Sequence, residues 1–264
     1  MRSVLAAAFL LLACVWPAIA QEAAITVRGT ALELRLADGR VLGPEALVGS
    51  VLEAQDDQGN PLTVRIENVV ADPSDPERET LLYRLVARDE AEGWRELCEP
   101  DPRGERWALP LSGRWTAGGE HIPDASTFAL TCSAGAIGKC VRLGYKPWGT
   151  LPDGASLRDY HQACVRLLRA DYCGDGRSFT RDGTPVDLYD QLGIQKDAAA
   201  PGMRFEAGFG PDGATCVARP RIPENVSLDE LARRCPARLA GRVGRACSEA
   251  EAKRWPSTLL LVKS

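Results

Sequence analysis

The sequence is 264 residues long, 45% hydrophobic and 26% charged, with a formal net charge of −4 at pH 7. That acidic balance argues against a nucleic-acid binder, which gathers Lys and Arg in excess. The ordinary hydrophobic content argues against a disordered secreted tail.

The chain opens with the pattern of an export leader. Arg2 precedes an apolar run, Val4–Ala13, that Trp16-Pro17 interrupts, and Ala18-Ile-Ala20 matches the small-x-small rule for cleavage before Gln21. The run is too short to span a bilayer, and no later stretch approaches ~20 apolar residues, so no transmembrane segment is expected. Leu11-Leu-Ala-Cys14 offers a second reading, a lipoprotein signal with Cys14 as the lipid-bearing N-terminus. Both readings place the mature chain outside the cytoplasm, periplasmic or secreted. Arginine outnumbers lysine 27 to 5, as in chains from GC-rich bacteria.

Residues 21–97 read as an antiparallel β-unit. Ile25–Arg28, Ala31–Leu36, Leu62–Ile66 and Leu81–Val86 show partial period-2 alternation. Asp38-Gly39, Gln58–Pro61 and Asp72–Pro76 supply the turns. From Cys98 to Thr150 the chain lacks long periodic elements. Trp94, Trp107, Trp115 and Trp148 surround Cys98, Cys132 and Cys140, as core aromatics or as the wall of a glycan or ligand site.

A central amphipathic helix is expected from Ser156. Leu157, Tyr160, Cys164, Leu167 and Leu168 form its apolar stripe, and Arg158, Asp159, Arg166 and Arg169 fall on the other side. Ser156 is the expected N-cap, and Gly174 and Gly176 supply the positive φ beyond the helix end. Ser178–Tyr189 reads as a hairpin turning at Asp182-Gly183, and Phe205–Phe209 with Ala214–Ala218 as a second one. Residues 221–264 form a basic helical segment, with a helix over Leu228–Lys253 capped by Ser227 and Glu230, then a terminal strand at Leu259–Val262. Its basic face reads as solvated.

Cysteine parity sets the cross-linking. Nine cysteines less Cys14 leave eight: Cys98, Cys132, Cys140, Cys164, Cys173, Cys216, Cys235 and Cys247. An even set in an exported chain implies four disulfides, with 105 connectivities open. No Cys-x2-Cys pair supports zinc, so neither metal nor cofactor is expected. The fold class is α+β and mostly β: disulfide-stapled and loop-rich, with one central helix and a helical C-terminal segment.

Motifs of chemistry are scarce. Gly208-Phe-Gly-Pro-Asp-Gly213 fits G-x-G-x-x-G, but it lies between two apparent strands and opens no helix, so it is no dinucleotide fingerprint. Nucleophile elbows, zincin helices and phosphate loops are absent from the sequence. The sequon Asn225-Val-Ser227 reads as coincidental in a bacterial chain. His161, at the edge of the apolar stripe, reads as a packed histidine. The alternative makes His161 a catalytic base with Asp171 or Asp175, in an extracytoplasmic hydrolase. Asp171 and Asp175 with Asp182, Asp187 or Asp190 lack EF-hand spacing, and backbone hydrogen bonding alone explains such residues at a helix end and in turns.

Gly135-Ala-Ile-Gly-Lys-Cys140, Gly144-Tyr-Lys-Pro-Trp148, His161-x-x-Cys164 and Arg169-Ala-Asp-Tyr-Cys-Gly-Asp-Gly176 together resemble the ADYC domain family, whose tetrapeptide stands here as Ala170-Asp-Tyr-Cys173. Asp182–Asp187, Phe205–Ala207 and Gly213–Cys216 extend the resemblance, which covers roughly residues 50–220. It implies an exported bacterial module with a cysteine-linked core at 98–220, and carries over no catalytic residue. It also implies that Cys235 and Cys247, beyond the matching region, pair with each other. The function expected is a non-catalytic module binding a protein, glycan or envelope component.

Overall fold

The computed structural model describes residues 24–89 and 93–264; the expected leader and Cys14 lie outside them. In chain order the strands begin with β1 (Ala24–Arg28), β2 (Ala31–Arg35), β3 (Val41–Leu42), β4 (Val51–Gln55), β5 (Pro61–Ala71), β6 (Leu81–Asp89) and β7 (Gly93–Glu96). Next come β8 (Ala108–Ser112), β9 (Arg114–Trp115), β10 (His121–Ile122) and β11 (Phe128–Cys132), followed by helices α1 (Ala136–Arg142) and α2 (Arg158–Leu168). The chain ends with β12 (Asp187–Asp190), β13 (Phe205–Gly210), β14 (Gly213–Val217), α3 (Leu228–Arg234), α4 (Pro236–Leu239), α5 (Glu249–Ala252) and β15 (Leu260–Lys263). Strand dominates helix, and four disulfides cross-link the chain, as the composition implied.

The largest sheet runs β11-β8-β6-β5-β4, with β7 on β6, and all its pairs are antiparallel. It takes strands from both sides of residue 97, where the sequence suggested a boundary. Period-2 alternation explains why it is covered on both faces. Tyr83 and Leu85 pack with Leu32, Leu47 and Ile66 beneath the β1-β2-β3 sheet. Leu82, Leu109 and Leu111 point the other way, against Val141 of α1 and the partly buried Trp107, Trp115 and Trp148. Tyr83 ties the two sheets, because its hydroxyl accepts the Leu32 N–H at 3.0 Å.

The second sheet is antiparallel in the order β12-β15-β13-β14. Its strands are almost wholly buried, and the main core cluster brings them together with α2. The terminal strand β15 sits inside this sheet, between β12 and β13. The hairpin expected at Phe205–Ala218 is β13–β14.

Four expectations give way to corrections. Residues 178–186 form no strand: Ser178 Oγ and the Phe179 N–H both bond to Arg169 O, and β12 pairs with β15 instead. The helix expected over Leu228–Lys253 is broken, because Pro236 cannot donate a backbone bond and Gly241 adopts φ 70°. Ser227 does cap its first piece, accepting the Glu230 N–H. Arg166 lies buried rather than outward, because the loop after α2 brings Asp171 to it. Cys235 and Cys247 do not pair. The disulfides are Cys98–Cys132, Cys140–Cys164, Cys173–Cys235 and Cys216–Cys247. Cys235 lies at the end of α3, over the loop that carries Cys173, so the C-terminal segment is stapled onto the core.

Candidate functional site

The tetrapeptide Ala170–Cys173 begins where α2 ends. Ala170 N–H bonds to Leu167 O and Asp171 N–H to Arg166 O, the paired bonds of a Schellman stop, with Ala170 at φ 49°. Glycine usually holds that position, since a left-handed residue with a Cβ costs roughly 1–2 kcal/mol. Here the methyl group is fully buried in the core, which offsets part of that cost.

Asp171 then organises the loop. Its Oδ1 accepts the Gly174 N–H at 2.9 Å, and its Oδ2 accepts the Gly176 N–H at 2.9 Å and Arg166 Nη1 at 2.7 Å. The carboxylate is fully buried, and its partners all lie within its own loop and helix. Tyr172 packs between Phe179 and Phe209 and donates its hydroxyl to Glu206. Glu206 receives Arg221 Nε at 3.0 Å, and Arg221 gives Nη1 and Nη2 to the Leu168 and Leu167 carbonyls. Both carbonyls belong to the last turn of α2: Leu167 O already accepts the Ala170 N–H, and Leu168 O has no backbone donor among the described residues, so Arg221 caps the helix from outside the chain segment. Cys173 closes the motif through its disulfide to Cys235. All four signature residues thus hold the end of α2 against the second sheet.

The residues weighed for catalysis are not joined. His161 is 1% exposed; its Nε2 lies 3.1 Å from Ile137 O, and its ring stands edge-on to Trp115 at 6.2 Å. A carbonyl only accepts, so Nε2 carries the proton. Burial depresses its pKa to about 4. Asp175 Oδ2 takes the Arg234 guanidinium at 2.8 Å, and its Oδ1 takes the Arg177 N–H. Partial burial raises the Asp175 pKa, but these two donors prevail and hold it below the usual carboxylate range. His161 shares no hydrogen bond with Asp171 or Asp175.

Two concavities border the segment after α1. The larger, about 610 Å³, lies between the β5–β6 loop and the segment after α1, and includes Asp75, Thr80, Leu143, Lys146, Leu157 and Gln195. Lys146 Nζ meets Asp75 at 3.0 Å and Glu77 and Glu79 at 2.7 Å each. Arg142 meets Asp72 at 2.7 Å and Glu105 at 3.2 Å. Both cations are thus occupied in fastening the β5–β6 loop to α1 and the turn after it. Burial alone would lower the Lys146 pKa, but the carboxylates override it and raise that pKa. The smaller pocket, about 270 Å³, has walls of Val27, Pro123, Pro147 and Trp148, with His121 and Arg158 at its polar side.

The sequence reading missed Lys146, Arg142, Glu206 and Arg221, all single charged residues inside apolar or turn contexts. The acidic run Asp72–Glu79 was a visible signal that a cation must face it, but not which one. Trp107, Trp115 and Trp148 do pack into one core cluster, whereas Trp94 stands apart with Arg65 stacked 4.3 Å over its ring.

A mostly β, α+β module with four disulfides and a signature buried at its central helix end is the class that this geometry defines. The ADYC domain profile matches residues 44–223, more than half of the chain, and the chain belongs to that family. No curated protein and no solved structure matches it.

Proposed function

We propose that the chain is an exported, disulfide-stabilised module that binds a protein, glycan or envelope component and catalyses no reaction. The observation that carries this reading is the engagement of His161 and the whole Ala170–Cys173 signature within the fold. A general base needs open approach to a substrate proton, and a histidine 1% exposed with its proton on Ile137 O offers none. The same observation weighs against a hydrolase using His161 with Asp171 or Asp175.

Export rests on the leader pattern at residues 2–20 and on the cysteines. Eight cysteines joined in four bridges suit an oxidising compartment. Among the described residues no helix is long and apolar enough to cross a membrane. N-terminal sequencing of protein recovered from a bacterial host tests export: Gln21 as first residue is expected, and a lipidated Cys14 would select the lipoprotein reading. Assays against ester, glycoside and peptide substrates test the non-catalytic reading. Turnover that His161→Ala abolishes in a folded protein would overturn it.

A further inference from the structure

The smaller pocket combines features of a small-ligand site. At about 270 Å³ it lies just under the roughly 300–1,000 Å³ usual for such sites, enough for one ring but not a chain. Its aromatic wall is fixed in place. The Trp148 indole rests on Gly29, where an added Cβ would sit 3.3 Å from Cε2. Pro123, Pro147 and Val27 complete an apolar surface suited to a ring face.

The polar side has the opposite character. Arg158, in the first turn of α2, is exposed and has no ion pair or side-chain hydrogen bond among the described residues. His121 Nε2 lies 3.3 Å from Ser112 O, which fixes the proton there and leaves Nδ1 an acceptor. Asp124 also lines the pocket, but Ser126 N–H and Oγ occupy its Oδ1, and Arg114 Nε stands 3.5 Å from its Oδ2. With Arg114 set against Asp124, Arg158 remains as the uncompensated charge. A planar guanidinium recognises a carboxylate through two parallel bonds.

We propose that this pocket binds a single carboxylate-bearing ring, with the carboxylate on Arg158 and the ring face on Trp148. The proposal rests on the binding reading above and names the class of its ligand. A sugar acid and an aromatic acid share that chemistry, and the test separates them.

The test follows the Trp148 indole N–H in heteronuclear NMR while D-galacturonate, benzoate or D-glucose is titrated into the oxidised protein. Saturable shifts are expected with at least one acid and none with glucose. Arg158→Gln, an exposed and charge-removing change, should weaken the acid at least tenfold. Arg233→Gln, equally exposed on α3, should leave it unchanged. Galacturonate alone binding marks a sugar-acid site; benzoate alone marks an aromatic-acid site. No saturable shift with either acid, or equal affinity in Arg158→Gln, overturns the proposal. Failure of the non-catalytic reading would look different: new reducing ends released from an oligogalacturonide, whatever the titration shows.

Discussion

Tyr172 donates its hydroxyl to Glu206 Oε1 at 2.9 Å, and the hydroxyl oxygen in turn accepts the Arg221 backbone N–H at 2.8 Å. The phenol therefore joins the signature to both members of the buried Glu206–Arg221 pair, whose side chains are 0% and 1% exposed. Through Arg221 the pair reaches the carbonyls that end α2, so one tyrosine, one acid and one base link the helix to the second sheet.

Tyr172→Phe keeps the ring stack and removes only the oxygen. It leaves a buried backbone N–H unsatisfied, so a loss of about 1–3 kcal/mol is expected. Glu206→Ala should lose more, about 3–5 kcal/mol, because it strands the Arg221 charge. Urea denaturation of both variants checks the order. A Glu206→Ala protein no less stable than Tyr172→Phe would contradict the charge argument.

Gly174 and Gly183 share a positive φ, 73° and 81°, but not a neighbourhood. A Cβ on Gly174 would fall 1.7 Å from Asp212 O, at the tip of the β13–β14 hairpin, whereas Gly183 has nothing within 4 Å. Gly183→Ala should cost only the left-handed conformation, about 1–2 kcal/mol. Gly174→Ala adds displacement of the hairpin tip and should destabilise by several kcal/mol more, read as a much lower Tm. Equal melting of the two variants would show that the loop and hairpin are not in close contact.

Local pattern reached as far as local forces did. Tyr160, Cys164, Leu167 and Leu168 read as a helix stripe because their 3.6-residue spacing survives in the fold. Ser227 read as a cap for the same reason. Arg166 was misread because its partner, Asp171, acts from beyond the helix end, and helical spacing says nothing of a loop that folds back. The Ser178–Tyr189 hairpin failed because Leu188 and Tyr189 find Val262 and Leu261, more than 70 residues away in sequence. Asp171 and His161 were visible as residues but not in their roles, which the Gly174 and Gly176 amides and Ile137 O determine.

The disulfides make a chemical prediction. Unreduced, alkylated protein should carry no label on the eight cysteines. A non-reduced peptide map should join Cys173 to Cys235 and Cys216 to Cys247. Burial also orders their reduction: Cys140 and Cys164 are 0% exposed, whereas both Cys173 and Cys235 are partly exposed. Limited reductant should therefore label Cys173 and Cys235 before Cys140 and Cys164. A peptide linking Cys235 to Cys247 would instead restore the pairing that the family limits suggested.

His161 gives the stability of the fold a pH window of its own. Its pKa falls to about 4 in the folded protein, chiefly through burial, against about 6.5 when unfolded. Below pH 6.5 the unfolded chain takes up a proton that the folded chain refuses until about pH 4. The stabilisation is thus fully present above pH 6.5 and is lost as the pH falls toward 4, a total of roughly 3 kcal/mol. His121, whose pKa burial also lowers, acts in the same direction. Asp75, with its pKa held at about 2, titrates below this window. His161→Phe should lower stability at pH 7.5 by about 1–3 kcal/mol, through a lost hydrogen bond and repacking against Trp115. It should also flatten the decline between pH 6.5 and 4, so that the two proteins converge in acid. Urea midpoints at half-unit pH steps measure both effects, and an unchanged acid slope in the variant would remove His161 as their source.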